Sequence, residues 1–334
     1  MDETISTIKQ YIESSDRILL HLHPSPDGDS VGSALAMYHT LHSMGKDVVV
    51  MSGDDEPPEA FSALPGFEVI ENKNYFDVDI SSFDLFIILD AASLDRVSRK
   101  GLIQFPPTLK TVVIDHHASN SGFAQHNLIL PTAPATAEIL FELFETWGWT
   151  ITREMAANLI VGIYTDTGCF RYPGTTKRTL EIFARLVEIY PEYIHLLTQL
   201  ENTFDRAHYK YMELSLQAIE QYVEGKIILS SISYDTLTKY GITQQHISRV
   251  EFVSYLRMSK DSIIAATLTE KKKGEVGISI RTAIQDRYDV SRIAKRLGGG
   301  GHKGAAGATV LGTVDEVKNK LLTAIFEEYP ELMP

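Results

Sequence analysis

The sequence predicts an α/β protein: an N-terminal parallel-sheet domain, a helical connector and a smaller α/β domain. Three observations predict it. Short apolar runs alternate with stretches of helical spacing over residues 17–164. The pattern changes after about residue 190. The length, 334 residues, suits two ordinary domains. The first domain is assigned to residues 1–190, the connector to 191–224 and the second domain to 225–334.

Residues 17–22 (RILLHL) read as a short buried strand. Residues 30–44 (SVGSALAMYHTLHSM) have helical spacing and stop at Gly45. DVVVM at 47–51, FDLFIIL at 83–89 and TVVI at 111–114 are further strands, and 137–147 and 153–164 are helical. Apolar strands alternating with helices predict a parallel sheet with both faces covered. In the connector Leu196, Leu197, Leu200, Tyr211 and Leu214 recur at amphipathic spacing. The second domain opens with a strand at 226–232. A hairpin follows, with arms 262–269 and 274–282 around the polar turn EKKKG. A helix near 290–297, a glycine run, a strand at 308–311 and a last helix at 314–328 complete it.

Hydrophobic residues make up 44% of the chain, enough for two cores. The single cysteine, Cys169, excludes an internal disulfide and a thiolate-rich zinc site, and it reads as a small buried residue. It also agrees with a reducing, cytoplasmic compartment. The acidic N-terminal MDETISTIKQ has no long apolar run, so no signal peptide is expected. No stretch approaches the roughly 20 apolar residues of a membrane helix. The formal net charge of −13 argues against a protein that grips long duplex nucleic acid through phosphates. A small anionic ligand is still allowed, because a few local cations overcome a global field.

In open parallel sheets, sites form beyond the carboxyl ends of the strands. Three clusters have that address: His23-Pro24-Ser25-Pro26-Asp27-Gly28-Asp29 after RILLHL, Asp90 after FDLFIIL, and Asp115-His116-His117 after TVVI. A fourth candidate, Asp166 in YTDTGCF, lies near the end of a helical run. Singly, each has an ordinary reading: Asp90 as a turn former, Asp29 and Ser30 as helix caps, the histidines as a solvated loop. Together, four converging carboxylates repel, and divalent cations resolve that conflict. Asp27, Asp29, Asp90 and Asp166 match the charge of two divalent ions, and imidazoles complete the shell. Oxygen and imidazole without thiolate favour Mn2+, two per chain, with Mg2+ as the alternative. His21, two residues before His23 on the same strand face, reads as a buried, hydrogen-bonded histidine.

HPSPDGDSVGS, FIILDAAS, VIDHHAS and YTDTGCFRYPGTT resemble the four N-terminal motifs of the DHH phosphoesterase superfamily. GGGGHKGAAGA at 298–308 resembles the signature of its DHHA1 subfamily. Size and layout are similar to stand-alone NrnA-like nano-RNase/pAp phosphatases. The resemblance implies one metal held by His23, Asp27 and Asp90, and another by Asp29, Asp90, His116 and Asp166, with Asp90 bridging. It implies His117 on the substrate phosphate. Asp115 would orient the imidazole that binds the metal. Ser30 stands where many relatives have Ala and should not touch the metals.

Four consecutive glycines, Gly298 to Gly301, cost too much backbone entropy to be punctuation alone. Gly299, Gly300 and Gly301 are read as letting the main chain approach an anion, and His302 as adding a directed hydrogen bond. The DHHA1 resemblance places Arg281 in the substrate pocket, where its planar fork suits a phosphate. Arg171, in CFRYPGTT, is read as approaching that pocket from the first domain, and Lys295 and Lys303 as adding local positive charge. The implied reaction is metal-assisted phosphoester hydrolysis, with His117 neutralising charge on the phosphoryl oxygens. Short oligonucleotides of RNA or DNA, dinucleotides such as pApA, or pAp are the expected substrates, and nucleoside monophosphates the products. Alternatives are a RecJ-like single-strand exonuclease, a cyclic-dinucleotide phosphodiesterase and, from another class, an inactive nucleotide-binding module. No membrane partner is expected, and a homodimer is allowed.

Overall fold

The apolar runs near the start of the chain become the middle of a parallel sheet. The computed structural model describes residues 2–172 and 174–333, and divides the chain into two units, Met1–Thr203 and Phe204–Pro334. The first unit holds strands β1 (Arg17–His21), β2 (Asp47–Met51), β3 (Ile70–Glu71), β4 (Leu85–Leu89), β5 (Lys110–Asp115) and β6 (His126–Ile129). Its helices are α1 (Asp2–Glu13), α2 (Gly28–Ser43), α3 (Thr136–Trp147), α4 (Arg153–Asp166), α5 (Lys177–Ile189) and α6 (Tyr193–Glu201). The strand order is β3-β2-β1-β4-β5-β6, and every pairing is parallel.

Alternation along each strand builds two cores. Ile18 and Leu20 of β1 face helices α2, α3 and α4, where Val31, Leu35, Phe141 and Ile160 are fully buried. Leu19, Phe86, Ile88 and Val113 face the other way. That second face is covered by irregular chain and short 3₁₀ turns carrying Tyr75, Ile80, Val97 and Ile103, in place of helices. The strand order reverses between β1 and β4, and a sheet opens its ligand crevice beyond the strand ends at such a switch. β1 leads into His23 there, and β4 into Asp90.

The second unit holds α7 (Arg206–Gln217), β7 (Ile219–Tyr222), β8 (Ile227–Ile232), α8 (Tyr234–Lys239), α9 (Gln244–Val250) and α10 (Phe252–Arg257). It continues with β9 (Ile264–Lys272), β10 (Glu275–Arg281), α11 (Val290–Arg296), β11 (Gly300–His302), β12 (Ala305–Leu311) and α12 (Val314–Glu328). The sheet order is β11-β12-β10-β9-β8-β7, with only β8 and β9 parallel among these pairs. One face packs Leu229, Ala266 and Ile278 on α11 and α12. On the other, Ile228 and Ala265 pack on Tyr211, Leu237, Phe252 and Leu256 of α7, α8 and α10. The predicted hairpin is β9–β10. Residues 191–224, read as a connector, hold α6 in the first unit and α7 and β7 in the second. The glycine run ends in β11, a paired strand that holds Gly300 and Gly301.

Candidate metal centre

Local structure delivers each candidate to the carboxyl edge of the first sheet. Asp27 is the N-cap of α2, accepting the Ser30 N–H at 3.0 Å. Asp29 and Ser30, read as candidate caps, lie inside the first turn and are buried. The Ser30 hydroxyl accepts the His23 N–H at 3.1 Å. Asp90 leaves β4 in the left-handed region at φ 53, a conformation rare for a residue with a side chain. Asp166 is the last residue of α4. Helices α2 and α4 approach closely because Gly32 lies against the Asn158 carbonyl and Gly162 against Ala137 and Asp29. A Cβ at either glycine would push apart the helices that carry Asp29 and Asp166.

Asp90, 2% exposed, faces two imidazoles with different oxygens. Its Oδ2 lies 3.3 Å from His23 Nε2, and its Oδ1 lies 3.4 Å from His116 Nε2. His23 Nε2 is also 3.4 Å from Asp27 Oδ2, and His116 Nε2 is 3.2 Å from Asp166 Oδ2. The structure thus brings together His23, Asp27 and Asp90 in one group and Asp29, His116 and Asp166 in another, with Asp90 touching both histidines.

These donors fit divalent cations. His23 Nδ1 lies 3.1 Å from the Pro24 carbonyl, which only accepts, so Nδ1 carries the hydrogen. In the neutral ring the Nε2 lone pair then points at two carboxylates. Nε2 is buried and makes no hydrogen bond. Two donors on a small divalent ion sit about 3 Å apart, close to the spacing here. Electrostatics agree. Burial would lower the pKa of His23, but the Asp27 and Asp90 carboxylates outweigh it and raise it to about 10. His116 is likewise raised to about 10 against its burial, by Asp90, Asp29 and Asp166. Burial and the Asp90 charge raise Asp29 to about 7, and burial with the Asp29 and Asp90 charges raises Asp166 to about 9. Asp90 itself is driven well below the usual carboxylate range: burial opposes this, but the close imidazoles of His116 and His23 prevail. A cluster that holds protons so firmly is one in which cations can take their place.

Several residues were not visible as site residues in sequence. The backbone N–H groups of Thr136 and Ala137, at the start of α3, donate to Asp29 at 2.6 and 2.9 Å, and Ser33 Oγ donates at 3.1 Å. Asp29 is therefore an anion held at a helix N-terminus. Thr136 Oγ1 reaches Asp90 Oδ1 at 3.4 Å. Asn120 donates to Asp115 Oδ2 at 2.7 Å and to the Ala91 carbonyl at 3.1 Å.

Asp115 corrects one expectation. It accepts from His117 Nδ1 at 2.7 Å, so it orients the second histidine of the pair in place of the first. His116 and His117 follow the end of β5 with ring centres 4.4 Å apart, and His117 Nδ1 also lies 3.7 Å from Asp90 Oδ1. His21 corrects a second. It is buried and stacks edge-on against Phe86, but neither ring nitrogen makes a hydrogen bond of ordinary geometry. Burial lowers its pKa to about 4, so it is neutral. Cys169, expected to be buried, is half-buried. Arg171 is exposed, with its Nε on the Gly168 carbonyl at 2.8 Å.

In the second unit, Arg281 pairs in register with Ala305, and Ala305 pairs with His302. Residues directly opposite share a face, so Arg281 and His302 stand in one row two strands apart. Gly300, Gly307 and Ser279 form the adjacent row. The four glycines have separate roles. Gly298 follows the cap of α11 at φ 79. Gly299 lies against Gly307 and Ala308, and Gly301, at φ 136, against Ala305 and Ala306. Only above Gly300 in β11's pairing is there open space beside the backbone on the His302 side. Gly299 and Gly301 thus serve strand packing, where close approach to an anion was expected. Lys303 is exposed, and Lys295 is exposed on α11.

Comparison with known proteins gives the same assignment. The DHH family, N-terminal domain, matches residues 17–163, and the DHHA1 domain matches residues 225–329. The chain is 28% identical over 316 residues to the bifunctional oligoribonuclease and PAP phosphatase NrnA of Thermus thermophilus, covering 93% of this chain and 90% of that one. It is 26% identical over 320 residues to the protein of the same name from Bacillus subtilis, covering 92% of each. An exopolyphosphatase-related protein from Bacteroides fragilis superposes with a TM-score of 0.91 at 25% identity, over 99% of this chain and 98% of that one. Among the described residues no helix is long and apolar enough to cross a membrane. With the DHH motifs gathered on one sheet edge and the DHHA1 signature on the other sheet, the chain belongs to the DHH/DHHA1 phosphoesterase family.

Proposed function

We propose that this protein is a two-metal phosphoesterase. It hydrolyses short oligonucleotides, such as nano-RNA and pApA, to nucleoside monophosphates, and pAp to AMP. The observation that carries the reading is the Asp90 carboxylate, with one oxygen toward His23 and the other toward His116. His23, Asp27 and Asp90 would hold one cation, and Asp29, Asp90, His116 and Asp166 the other, with Mn2+ favoured over Mg2+ by the mixed oxygen and imidazole donors. Bound there, divalent ions supply Lewis acidity and make water nucleophilic near neutral pH.

The chain's own residues do the rest. Asn120 holds Asp115, and Asp115 accepts the His117 Nδ1–H, which orients the ring so that Nε2, in the imidazolium form, donates to a phosphoryl oxygen. Thr136 and Ala137 fix Asp29 so that burial does not turn it away. Water adds to phosphorus, the bond to the 3′ or 5′ leaving oxygen breaks, and that oxygen takes up a proton. In the second unit Arg281 and His302, one row on one sheet face, bind a nucleotide phosphate. The NrnA relatives, named for both activities, support the choice of substrate.

A substrate panel tests the reading. RNA and DNA of two to about ten nucleotides, pAp, pApA and cyclic di-AMP are each incubated with Mn2+ and with Mg2+. Nucleoside monophosphates from the dinucleotides, or AMP from pAp, are expected. Binding of these ligands without product in metal-replete buffer would make the protein a nucleotide-binding module instead.

A further inference from the structure

We propose that Glu251 is a specificity residue that favours substrates bearing a terminal phosphate over those with internal diesters only. The inference rests on reading Arg281 as a phosphate anchor. Glu251 Oε1 receives Arg281 Nη2 at 2.6 Å, and Arg281 Nη1 donates to the Ile280 carbonyl at 3.1 Å. The guanidinium is therefore engaged on both terminal nitrogens by the protein itself. A phosphate that binds it in the bidentate manner must compete with a carboxylate.

The competition depends on charge. An internal diester carries one negative charge, as does the carboxylate it displaces, so the exchange leaves the charge beside Arg281 unchanged. A terminal phosphate carries about −1.5 to −2 near neutral pH and gains up to one unit of attraction in the exchange. Glu251 is built to make that exchange. It joins α9 to α10 at φ 44 and ψ 51, in the left-handed region where a residue with a side chain is disfavoured. Such strain collects at ligand clamps. Val250, Phe252 and Val253 on either side are buried, so packing fixes the backbone. The Glu251 side chain is 47% exposed against 21% for Arg281, so it can swing into water while Arg281 stays in the row with His302.

The test compares pApA with ApA, which share the diester and differ in the terminal phosphate. Wild type, Glu251→Gln and Glu251→Asp are measured by titration calorimetry and by steady-state kinetics with Mn2+. Wild type is expected to prefer pApA by about tenfold, and both variants to reduce that preference several-fold by binding ApA more tightly. The change should lie in Kd and KM. Asp, too short to reach Arg281, serves as the second variant if Gln fails to fold. No discrimination by wild type, or an unchanged ratio in the folded variants, overturns the proposal. If wild type binds both ligands and hydrolyses neither, the hydrolase reading fails, while the ratio of Kd values still decides the role of Glu251.

Discussion

Asp115 Oδ1 accepts the His117 Nδ1 proton at 2.7 Å, while the adjacent His116 turns toward Asp90 and Asp166. The two histidines of one motif share Asp90 Oδ1 as a neighbour, at 3.4 and 3.7 Å, and differ in their second carboxylate, Asp166 for His116 and Asp115 for His117. Asp115 is fully buried, and its Oδ2 is occupied by Asn120. Replacing Asp115 by Asn keeps the volume but lets the imidazole turn. The expected result is a fall in kcat of about 10- to 100-fold with metal content unchanged. Asn120→Ala should act in the same direction and more weakly. Kinetics paired with elemental analysis check this, and loss of metal in Asp115→Asn would place the residue among the ligands instead.

Asp90→Ala removes the carboxylate that faces both His23 and His116. Metal content should fall at both groups, and turnover by about 100-fold or more. Asp27→Ala touches only the His23 group, and Asp27 is 51% exposed, so it should lose less metal. Equal metal loss in the two variants would contradict a bridging Asp90.

Much of this centre was legible in sequence because strands advertise where they end. RILLHL, FDLFIIL and TVVI are apolar runs broken by acids and histidines, and the parallel order carries those breaks to one edge. The partners of Asp29 were not legible, since Thr136 and Ala137 lie 107 and 108 positions away and donate through the backbone. Helices α8, α9 and α10 have six, seven and six residues, too few for a helical period to show. β11 is Gly-Gly-His, with no apolar pattern to read. Glu251 gives no sign of its backbone conformation or of Arg281, 30 residues on.

Metal-free stability should fall as pH rises. His23 and His116 are raised from 6.5 to about 10 in the folded protein, so their contribution is complete below 6.5 and lost as pH rises through 10. Asp29 and Asp166 are raised from 3.8 to about 7 and about 9, so their ionisation also opposes the fold as pH rises over that range. The Tm of chelator-treated protein should therefore drop between pH 6 and about 9. Saturating Mn2+ should flatten that slope, because the cations replace the protons. Calorimetry in buffers of different ionisation enthalpy should show proton release on binding. A chelated protein with equal Tm at both ends of the range would mean that the cluster holds no extra protons.

The glycine run separates packing from binding by substitution. A Cβ at Gly299 would collide with the Gly307 carbonyl and Ala308, so Gly299→Ala must part β11 from β12. A loss of about 1–3 kcal/mol is expected, seen as a lower unfolding temperature of the full chain. At Gly300 an added Cβ meets nothing within 4 Å, and the backbone needs no left-handed angle. Gly300→Ala should leave Tm within about a degree or two of wild type. Its methyl group would instead project on the His302 side of the strand, beside the row that contains Arg281. KM should rise about tenfold, with the larger effect on the shortest substrates, which have the fewest other contacts. A stable Gly300→Ala with unchanged KM would show that the nucleotide phosphate does not rest against this strand.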